Sequence, residues 1–248
     1  MNFDLIVLTL AAGFTSLISA TIGMAGGTVL LSILLFYFNP ATSIALHALN
    51  QLASNGQRSW ILRSHINLPF MYAFCGGALI GNMISVWLIQ DTLTFSHAPL
   101  LIAVLIVYSL FKPKKMPQLK PQRFGFFVAG IFLGFIGMFV GATGLILGSL
   151  FVREDMSKEQ IMATQGAIQS VSHGLKVLGF MWIGFDYVPW LAPLGGMLCA
   201  GIFGTQIGIR FFSHMSDSLF MFLYRLTLLA SALYLLWKWF SGFAPTFM

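Results

Sequence analysis

The sequence has very little charge. Only 8% of its 248 residues are Asp, Glu, Lys or Arg, against about a quarter in an ordinary globular protein, and 58% are hydrophobic. Charge-free stretches of 20 to 53 residues cover 5–57, 64–90, 92–111, 124–152 and 187–209. Because about 20 apolar residues cross a bilayer, this composition excludes a soluble enzyme, a nucleic-acid-binding domain and a disordered chain. It predicts an all-α membrane protein that lies in a lipid bilayer and binds no nucleic acid.

Cysteine and enzyme motifs are also scarce. The two cysteines, Cys75 and Cys199, both lie in apolar runs, which excludes a disulfide framework and a cysteine-based metal site. No G-x-S-x-G, H-E-x-x-H or G-x-x-x-x-G-K-[ST] motif is present. We therefore expect no enzyme activity, no cofactor and no metal. Without an ATP-binding motif, any transport would be passive or secondary, unless a partner supplies energy.

Hydropathy divides the chain into about eight transmembrane segments. They cover roughly 4–37, 41–62, 67–89, 95–112, 123–152, 159–181, 187–212 and 217–241. Asp4 and the lack of a basic residue before the first apolar run argue against a cleaved signal peptide, so we expect the first segment to be retained.

The first and fifth segments contain glycine clusters. As one helix, residues 4–37 would be about 50 Å long, against a hydrocarbon core of about 30 Å. Gly23-Met-Ala-Gly26-Gly27 interrupts the first segment and Gly141-Ala-Thr143-Gly144 interrupts the fifth. Because each glycine weakens a helix by about 1 kcal/mol relative to alanine, these clusters predict that helices 1 and 5 are discontinuous.

The two halves of the sequence resemble each other. At an offset of 118 residues the following positions match: Gly23 and Gly141, Gly26 and Gly144, Ala45 and Ala163, Gln51 and Gln169, Ser54 and Ser172, Gly56 and Gly174. Arg58 corresponds to Lys176, and Leu145 stands where Gly27 stands in the first half. The pattern predicts an internal duplication into two four-helix halves, residues 1–112 and 123–248, joined by a basic linker at 113–122.

The positions of the basic residues suggest a membrane topology. Five of the 13 basic residues lie between Lys112 and Arg123, which is typical of a cytoplasmic loop in a bacterial inner membrane. Simple alternation from this linker would put both termini in the cytoplasm and make the repeats parallel. If each broken segment is instead a span plus a re-entrant half-helix, the parity changes and the repeats are inverted. The sequence leaves both arrangements open.

Two matching stripes of polar residues lie within apolar segments. The second segment carries His47, Gln51, Ser54, Asn55 and Arg58 on one helical face, bordered by Asn50, and the sixth carries Gln165, Gln169, Ser172, His173 and Lys176. Polar residues in spans usually face the bundle interior or a water-filled cavity. The alternative is that they only join helices through hydrogen bonds, worth about 0.6 kcal/mol each. Because the stripes match, we expect them to face each other across a central axis.

The stripes contain hydrogen-bond donors and cations but no carboxylate, which favours an anion as ligand. All seven acidic residues lie at segment ends, and half-helices that begin at the glycine breaks would offer free N–H groups. In this hypothesis the glutamines and serines donate hydrogen bonds, and Arg58 and Lys176 attract anions from the cytoplasm. The predicted substrate-binding residues are Gly23, Gly26, Gly27, His47, Asn50, Gln51, Ser54, Arg58, Gly141, Thr143, Gly144, Gln165, Gln169, Ser172, His173 and Lys176.

Four features together resemble the TauE/SafE sulfite exporter family. They are the run Thr21-Ile-Gly-Met-Ala-Gly-Gly27, the turn Arg63-Ser-His-Ile-Asn67, the duplicated Gly141-Ala-Thr-Gly144 and Arg225 in the final span. The resemblance covers nearly the whole chain. It implies an inner-membrane permease for sulfite or for organosulfur anions such as sulfonates.

The sequence therefore predicts a secondary transporter or facilitator for a small anion. Export of an anion gains about 2.3 kcal/mol per charge per 100 mV and needs no coupling ion, whereas uptake would require coupling, with His47 or His173 as candidates. The alternatives are a cation or metal transporter, and a non-transporting membrane subunit or intramembrane enzyme. A homo-oligomer is possible in each case.

Overall fold

The computed structural model describes residues 3–88, 122–152 and 155–240, and this part of the chain contains helices and no strands. The helices are α1 (Phe3–Ile22), α2 (Gly26–Tyr37), α3 (Pro40–Ile61), α4 (Leu68–Leu88), α5 (Arg123–Val140), α6 (Gly144–Ser149), α7 (Lys158–Trp182), α8 (Leu191–Ser213) and α9 (Asp217–Phe240). Short 3₁₀ turns cover Arg63–His65 and Val188–Trp190. The prediction of an all-helical protein is confirmed. The predicted segment 95–112 and the linker, apart from Gln122, lie outside the described residues.

Local signals explain where the two most polar helices begin. Asn39 accepts a hydrogen bond from the N–H of Thr42 at 2.9 Å, and Pro40 occupies the first turn of α3. Ser157 and Gln160 form a reciprocal capping box at the start of α7. Each cap satisfies backbone N–H groups that a helix start leaves unpaired.

In the described part of the chain, four helical stretches are long and apolar enough to cross a membrane: Asp4–Ile22, Leu68–Leu88, Arg123–Val140 and Val188–Ser213. Their outward faces carry large apolar side chains, and Phe14, Trp87 and Phe203 are each more than 60% exposed. A soluble protein rarely shows apolar surface on this scale. The composition and surface of these helices are those of a multi-pass membrane protein.

The polar helices α3 and α7 lie at the centre and pack against each other in an antiparallel pair. Their contacts run in opposite directions along the two sequences: His47 with His173, Gly56 with Ser170, and Arg58 with Gly166. Most of their polar side chains are buried, although neither helix meets the hydropathy of the apolar spans. The polar stripes therefore do face each other, as the sequence predicts.

Helices α1, α3 and α8 run in the same direction. α1 and α8 are parallel, as the order of their contacts shows: Thr9 with Gly196, Gly13 with Ala200, and Leu17 with Gly208. The contacts between α3 and α8 also advance together: Asn50 with Gly201, Ser54 with Thr205, and Gln57 with Gln206. All three helices begin at one end of the bundle and run toward the other.

Helices α4, α5, α7 and α9 run in the opposite direction. α4 and α5 meet in parallel register: Phe70 with Phe126, Gly77 with Phe127, and Gly81 with Ile131. α7 is parallel to α4, through Asn67 with Thr164 and Val86 with Gly179, and to α9, through Lys158 with Asp217 and Gln165 with Tyr224. Glycines permit the closest approach, since a Cβ on Gly81 would lie 2.0 Å from the carbonyl oxygen of Ile131.

The short helix α2 turns back along α3. The carbonyl of Gly27, in its first turn, accepts a hydrogen bond from His47 Nε2 at 2.9 Å, near the middle of α3. α2 then ends at Tyr37, just before α3 begins at Pro40. α1 and α2 together thus enter the bundle and return to the end where α1 began.

These directions correct one sequence-based expectation. Because α4 and α5 are parallel, the start of α5 lies at the opposite end of the bundle from the start of α1 and the end of α9. Simple alternation, which requires the start of α1, the end of α9 and the start of α5 to lie on one side, therefore does not describe these helices. The alternation fails because α1 and α2 return to their own side instead of crossing as one segment.

Candidate functional site

A small cavity lies where α3 and α7 meet the two helix breaks. Its volume is about 20 Å³, room for about one water-sized group. Six of the predicted site residues line it: Gly27, His47, Gln51, Gly144, Gln169 and His173. The other lining residues, among them Ser19, Thr28 and Met24, are also uncharged.

The helix breaks consist of a few residues with unusual backbone angles. α1 ends at Ile22 and α2 begins at Gly26, with φ of +95° at Gly23 and +72° at Ala25 between them. α5 ends at Val140 and α6 begins at Gly144, with φ of +75° at Gly141. Glycine adopts positive φ freely, whereas Ala25 does so at a cost of about 1–2 kcal/mol.

The two glutamines lie against the starts of the short helices. A Cβ on Gly27 would lie 3.2 Å from the Gln51 amide, and a Cβ on Gly144 would lie 3.2 Å from the Gln169 amide. Asn55 Nδ2 donates to the Gln51 side-chain oxygen at 3.2 Å, which directs the Gln51 NH₂ group away from Asn55. The Nε2 atoms of both glutamines are buried and have no hydrogen-bond partner.

The two histidine rings meet beside the glutamines. Their centroids are 5.4 Å apart and their planes are inclined at 75°. His47 Nε2 donates to the Gly27 carbonyl at 2.9 Å, so its Nδ1 carries the lone pair of the neutral ring. The Nδ1 atoms of both His47 and His173 are buried and unpartnered. The cavity thus contains four buried polar atoms that lack a partner, two from each central helix.

The two buried cations bind the carbonyl ends of the broken helices. Arg58 donates to the carbonyl of Ser19 at 2.6 Å and of Gly23 at 3.4 Å, and its other nitrogen donates to Asn55 Oδ1 at 2.7 Å. Lys176 Nζ donates to the carbonyl of Gly141. A helix C-terminus exposes unpaired carbonyls and partial negative charge, which favours a cation there. Neither cation lines the cavity.

Several other predicted residues form contacts between helices. Ser54 hydrogen-bonds Thr205 at 2.8 Å, and Gln165 lies between the Gly144 carbonyl at 3.5 Å and the Tyr224 hydroxyl at 3.3 Å.

The remaining predicted residues also lie away from the cavity wall. A Cβ on Gly26 would lie only 1.9 Å from the Thr15 carbonyl, so this glycine permits α2 to touch α1. Asn50 is buried against Gly201 with both amide atoms unpartnered. Thr143 immediately precedes α6, and Ser172 is half-buried on α7.

Sequence reasoning missed Tyr224. Its hydroxyl donates to the Gly148 carbonyl at 2.8 Å and so joins α9 to α6, while the neighbouring Arg225 is exposed. Adjacent residues on a helix point about 100° apart. In the last segment the sequence draws attention to Arg225, whereas the side chain that reaches the interior is that of Tyr224. Within the described ranges, no group of three His, Cys, Asp or Glu residues could hold a metal ion.

Comparison with known proteins adds one match. A family model described as "Sulfite exporter TauE/SafE" matches residues 8–235, nearly the whole chain. A search of curated proteins and a search of solved structures each found no match. The match agrees with the resemblance carried by the glycine-rich motifs and with the apolar spans, and the chain therefore belongs to the TauE/SafE family of membrane transporters.

Proposed function

We propose that the protein is a secondary transporter for a small anion, most specifically sulfite or an organosulfonate, and that the anion binds in the cavity between α3 and α7. The observation that carries the proposal is the set of four buried, unpartnered nitrogens: Gln51 Nε2, Gln169 Nε2, His47 Nδ1 and His173 Nδ1. The family match supports a sulfur oxyanion as the substrate class.

The chemistry of these groups favours an anion. The two glutamine NH₂ groups can only donate, and a buried donor without a partner costs about 1–3 kcal/mol. An oxyanion in the cavity would accept from both. The first N–H groups of α2 also border the cavity at Gly27 and Thr28, where the helix dipole favours negative charge. No carboxylate lies among the described cavity residues, so a cation would find few strong ligands there.

A pseudo-symmetric pair of half-sites supports the internal repeat. Each contact in the first half has a counterpart in the second: His47 to Gly27 with Gln165 to Gly144, Arg58 to Gly23 with Lys176 to Gly141, and Gln51 beside Gly27 with Gln169 beside Gly144. Gly144 therefore makes the contacts that Gly27 makes in the first half, although the sequence offset aligns Leu145 with Gly27. We propose that 1–112 and 123–248 are the two repeats, joined by the linker at 113–122.

The repeats are inverted in this proposal. α1 and α5 run in opposite directions, as do α3 and α7, and α4 and α8. Opposed repeats with broken helices at the midplane are typical of secondary transporters that expose one site to each side in turn. The cavity has room for about one water-sized group, so we propose that the broken helices move apart to admit the anion.

Charge supports a definite orientation in the inner membrane. Among the described residues, four basic residues lie at or beside the helix ends on the side toward which α1, α3 and α8 run: Arg63, Arg123, Lys158 and Arg210. On the opposite side the described helix ends include one basic residue, Lys238. By the positive-inside rule, we propose that the basic side faces the cytoplasm. The start of α1 and the end of α9 then face away from the cytoplasm.

The test is flux of labelled anions into proteoliposomes that contain the purified protein. We expect uptake of sulfite, or of ethanesulfonate, in preference to chloride, and loss of that uptake in the Gln51→Ala/Gln169→Ala double variant. Gln206→Ala is the matched control, because Gln206 is an exposed glutamine that lies away from the cavity. Normal flux in a folded double variant would show that the anion does not bind at the proposed site. Flux of a metal or monovalent cation, with no anion flux, would favour a cation transporter.

A further inference from the structure

The histidine pair lies on one side of the two glutamines. Because α3 and α7 are antiparallel, His47 and His173 share one level, and Gln51 and Gln169 share the next level toward the cytoplasmic end of α3. Beyond them lie Asn55 and Gln165. Two ionisable side chains therefore line only the half of the cavity that faces away from the cytoplasm in the proposed orientation.

We propose that His47 and His173 form a proton site and that each anion crosses the membrane together with one proton. This inference rests on the proposed anion transport. The proton binds Nδ1 of either ring, an atom that is buried and unpartnered on a residue that lines the cavity. His47 Nε2 keeps its hydrogen bond to the Gly27 carbonyl, so protonation leaves this contact to α2 intact.

The charged groups around His47 and His173 allow only one of the two rings to be protonated at a time. The ionisable groups buried around it are Lys176 from α7, Arg58 from α3 and Tyr224 from α9, and none of them is a carboxylate. The described cavity residues from α1, α2, α6 and the two helix breaks are uncharged, as are Gln51 and Gln169. Lys176 and a first imidazolium 5.4 Å away would both repel a second proton. None of the described residues that line the site carries a negative charge, so a bound anion would supply one.

Proton binding and anion binding are therefore coupled. An anion beside the rings stabilises a protonated Nδ1, and the resulting N–H⁺ donates to the anion. By thermodynamic linkage, the anion raises the affinity for the proton by the same factor by which the proton raises the affinity for the anion. The cycle binds both together and releases both together.

The other half of the site indicates how to remove the proton without disturbing the fold. The repeat places Gln165 at the position of His47 and Asn55 at the position of His173, and Gln165 makes the amide contact to Gly144 that corresponds to His47 and Gly27. The double variant His47→Gln/His173→Asn thus uses side chains that this fold already holds in the same setting. His65→Gln/His214→Gln, at two exposed histidines, is the matched control.

The experiment is accumulation of labelled ethanesulfonate or sulfate in proteoliposomes. Both probes are fully ionised near neutral pH and carry no proton of their own. The anion concentration is equal on both sides, valinomycin and equal potassium hold the membrane potential at zero, and the lumen is about one pH unit more alkaline than the medium. With one proton per anion, the wild-type protein should accumulate the probe about tenfold. The exposed-histidine control should do the same, and the His47/His173 variant should accumulate none.

Each failure has a separate meaning. Wild-type protein that moves the probe down the probe's own gradient, but does not accumulate it when only the pH gradient is imposed, would overturn the proton coupling and leave anion transport standing. Full accumulation by the His47/His173 variant would show that the proton binds elsewhere. If no anion moves under any gradient, the proposed function itself fails, and the coupling fails with it.

Discussion

Replacement of Gln169 by glutamate tests the sign of the charge that the cavity binds. Gln169 lines the cavity, and its Nε2 has no partner in the protein. Gln169→Glu keeps the size and shape of the side chain but exchanges the donor for an acceptor. Gln169→Ala removes the donor and adds no charge. The difference between the two variants therefore measures electrostatics and not packing.

The expected magnitudes differ strongly. Loss of one hydrogen bond to a charged group costs about 1.5–3 kcal/mol, so Gln169→Ala should weaken the apparent affinity about 10- to 150-fold. A carboxylate about 4 Å from a bound anion adds roughly 4 kcal/mol of repulsion at an effective dielectric constant of about 20. Gln169→Glu should therefore weaken anion affinity about a thousandfold beyond Gln169→Ala.

The assay is the concentration dependence of tracer uptake into proteoliposomes, with Gln206→Ala as the control. Thermal unfolding of each variant in detergent checks that the fold is intact. The reasoning is refuted if Gln169→Glu takes up the anion with a KM equal to that of Gln169→Ala or the wild type. If Gln169→Glu has a lower KM for the anion than the wild type, or if the wild type takes up a monovalent cation, the site binds cations and the assigned sign is wrong.

Four further outcomes follow from the packing and the topology. Gly81→Ala should lower the free energy of unfolding by about 1–3 kcal/mol, because the new Cβ would lie 2.0 Å from a backbone oxygen. Gly195→Ala should be neutral or slightly stabilising, because its Cβ would meet nothing within 4 Å. Thermal unfolding in detergent compares the two variants. Arg58→Gln should lower the unfolding midpoint more than Lys176→Gln in the same assay, because Arg58 donates hydrogen bonds to three acceptors and Lys176 donates to one. Tyr224→Phe should cost about 0.5–1.5 kcal/mol, visible as a lower unfolding midpoint, because one buried hydrogen bond is lost while the Gly148 carbonyl keeps its bond from the Phe151 N–H. A C-terminal alkaline phosphatase fusion should be active and a C-terminal GFP fusion dark; the reverse pattern would contradict the proposed orientation.

Composition and periodicity predicted the general architecture well. The all-helical membrane fold follows from long charge-free runs, and burial of the α3 and α7 stripes follows from the cost of polar groups in lipid. The interruptions at 23–25 and 141–143 lie within the glycine clusters because glycine accepts positive φ.

The direction of the short helices was not predictable from hydropathy. Whether α2 crosses or returns depends on its contact with His47, twenty residues along the chain. Hydropathy records how apolar a segment is and not where it ends. The sequence therefore left the parallel and the inverted arrangement both open.

The roles of the polar residues were only partly predictable. Helical spacing correctly grouped Gln51 with His47 and Gln169 with His173, and all four reach the cavity. Spacing could not separate them from Arg58 and Lys176, whose longer side chains extend to the helix breaks and bind carbonyl oxygens there. A side chain's reach and its competing acceptors are properties of the folded structure.

The central claim is that a small anion binds between Gln51 and Gln169, and a structure determined with selenite tests it most directly. Selenite is the selenium analogue of sulfite, and its heavy atom can be located by anomalous scattering. The account predicts one selenium site in the cavity, with oxyanion oxygens within hydrogen-bond distance of both glutamine Nε2 atoms. Selenium bound elsewhere in the protein, or an empty cavity at a selenite concentration that supports transport, would contradict it.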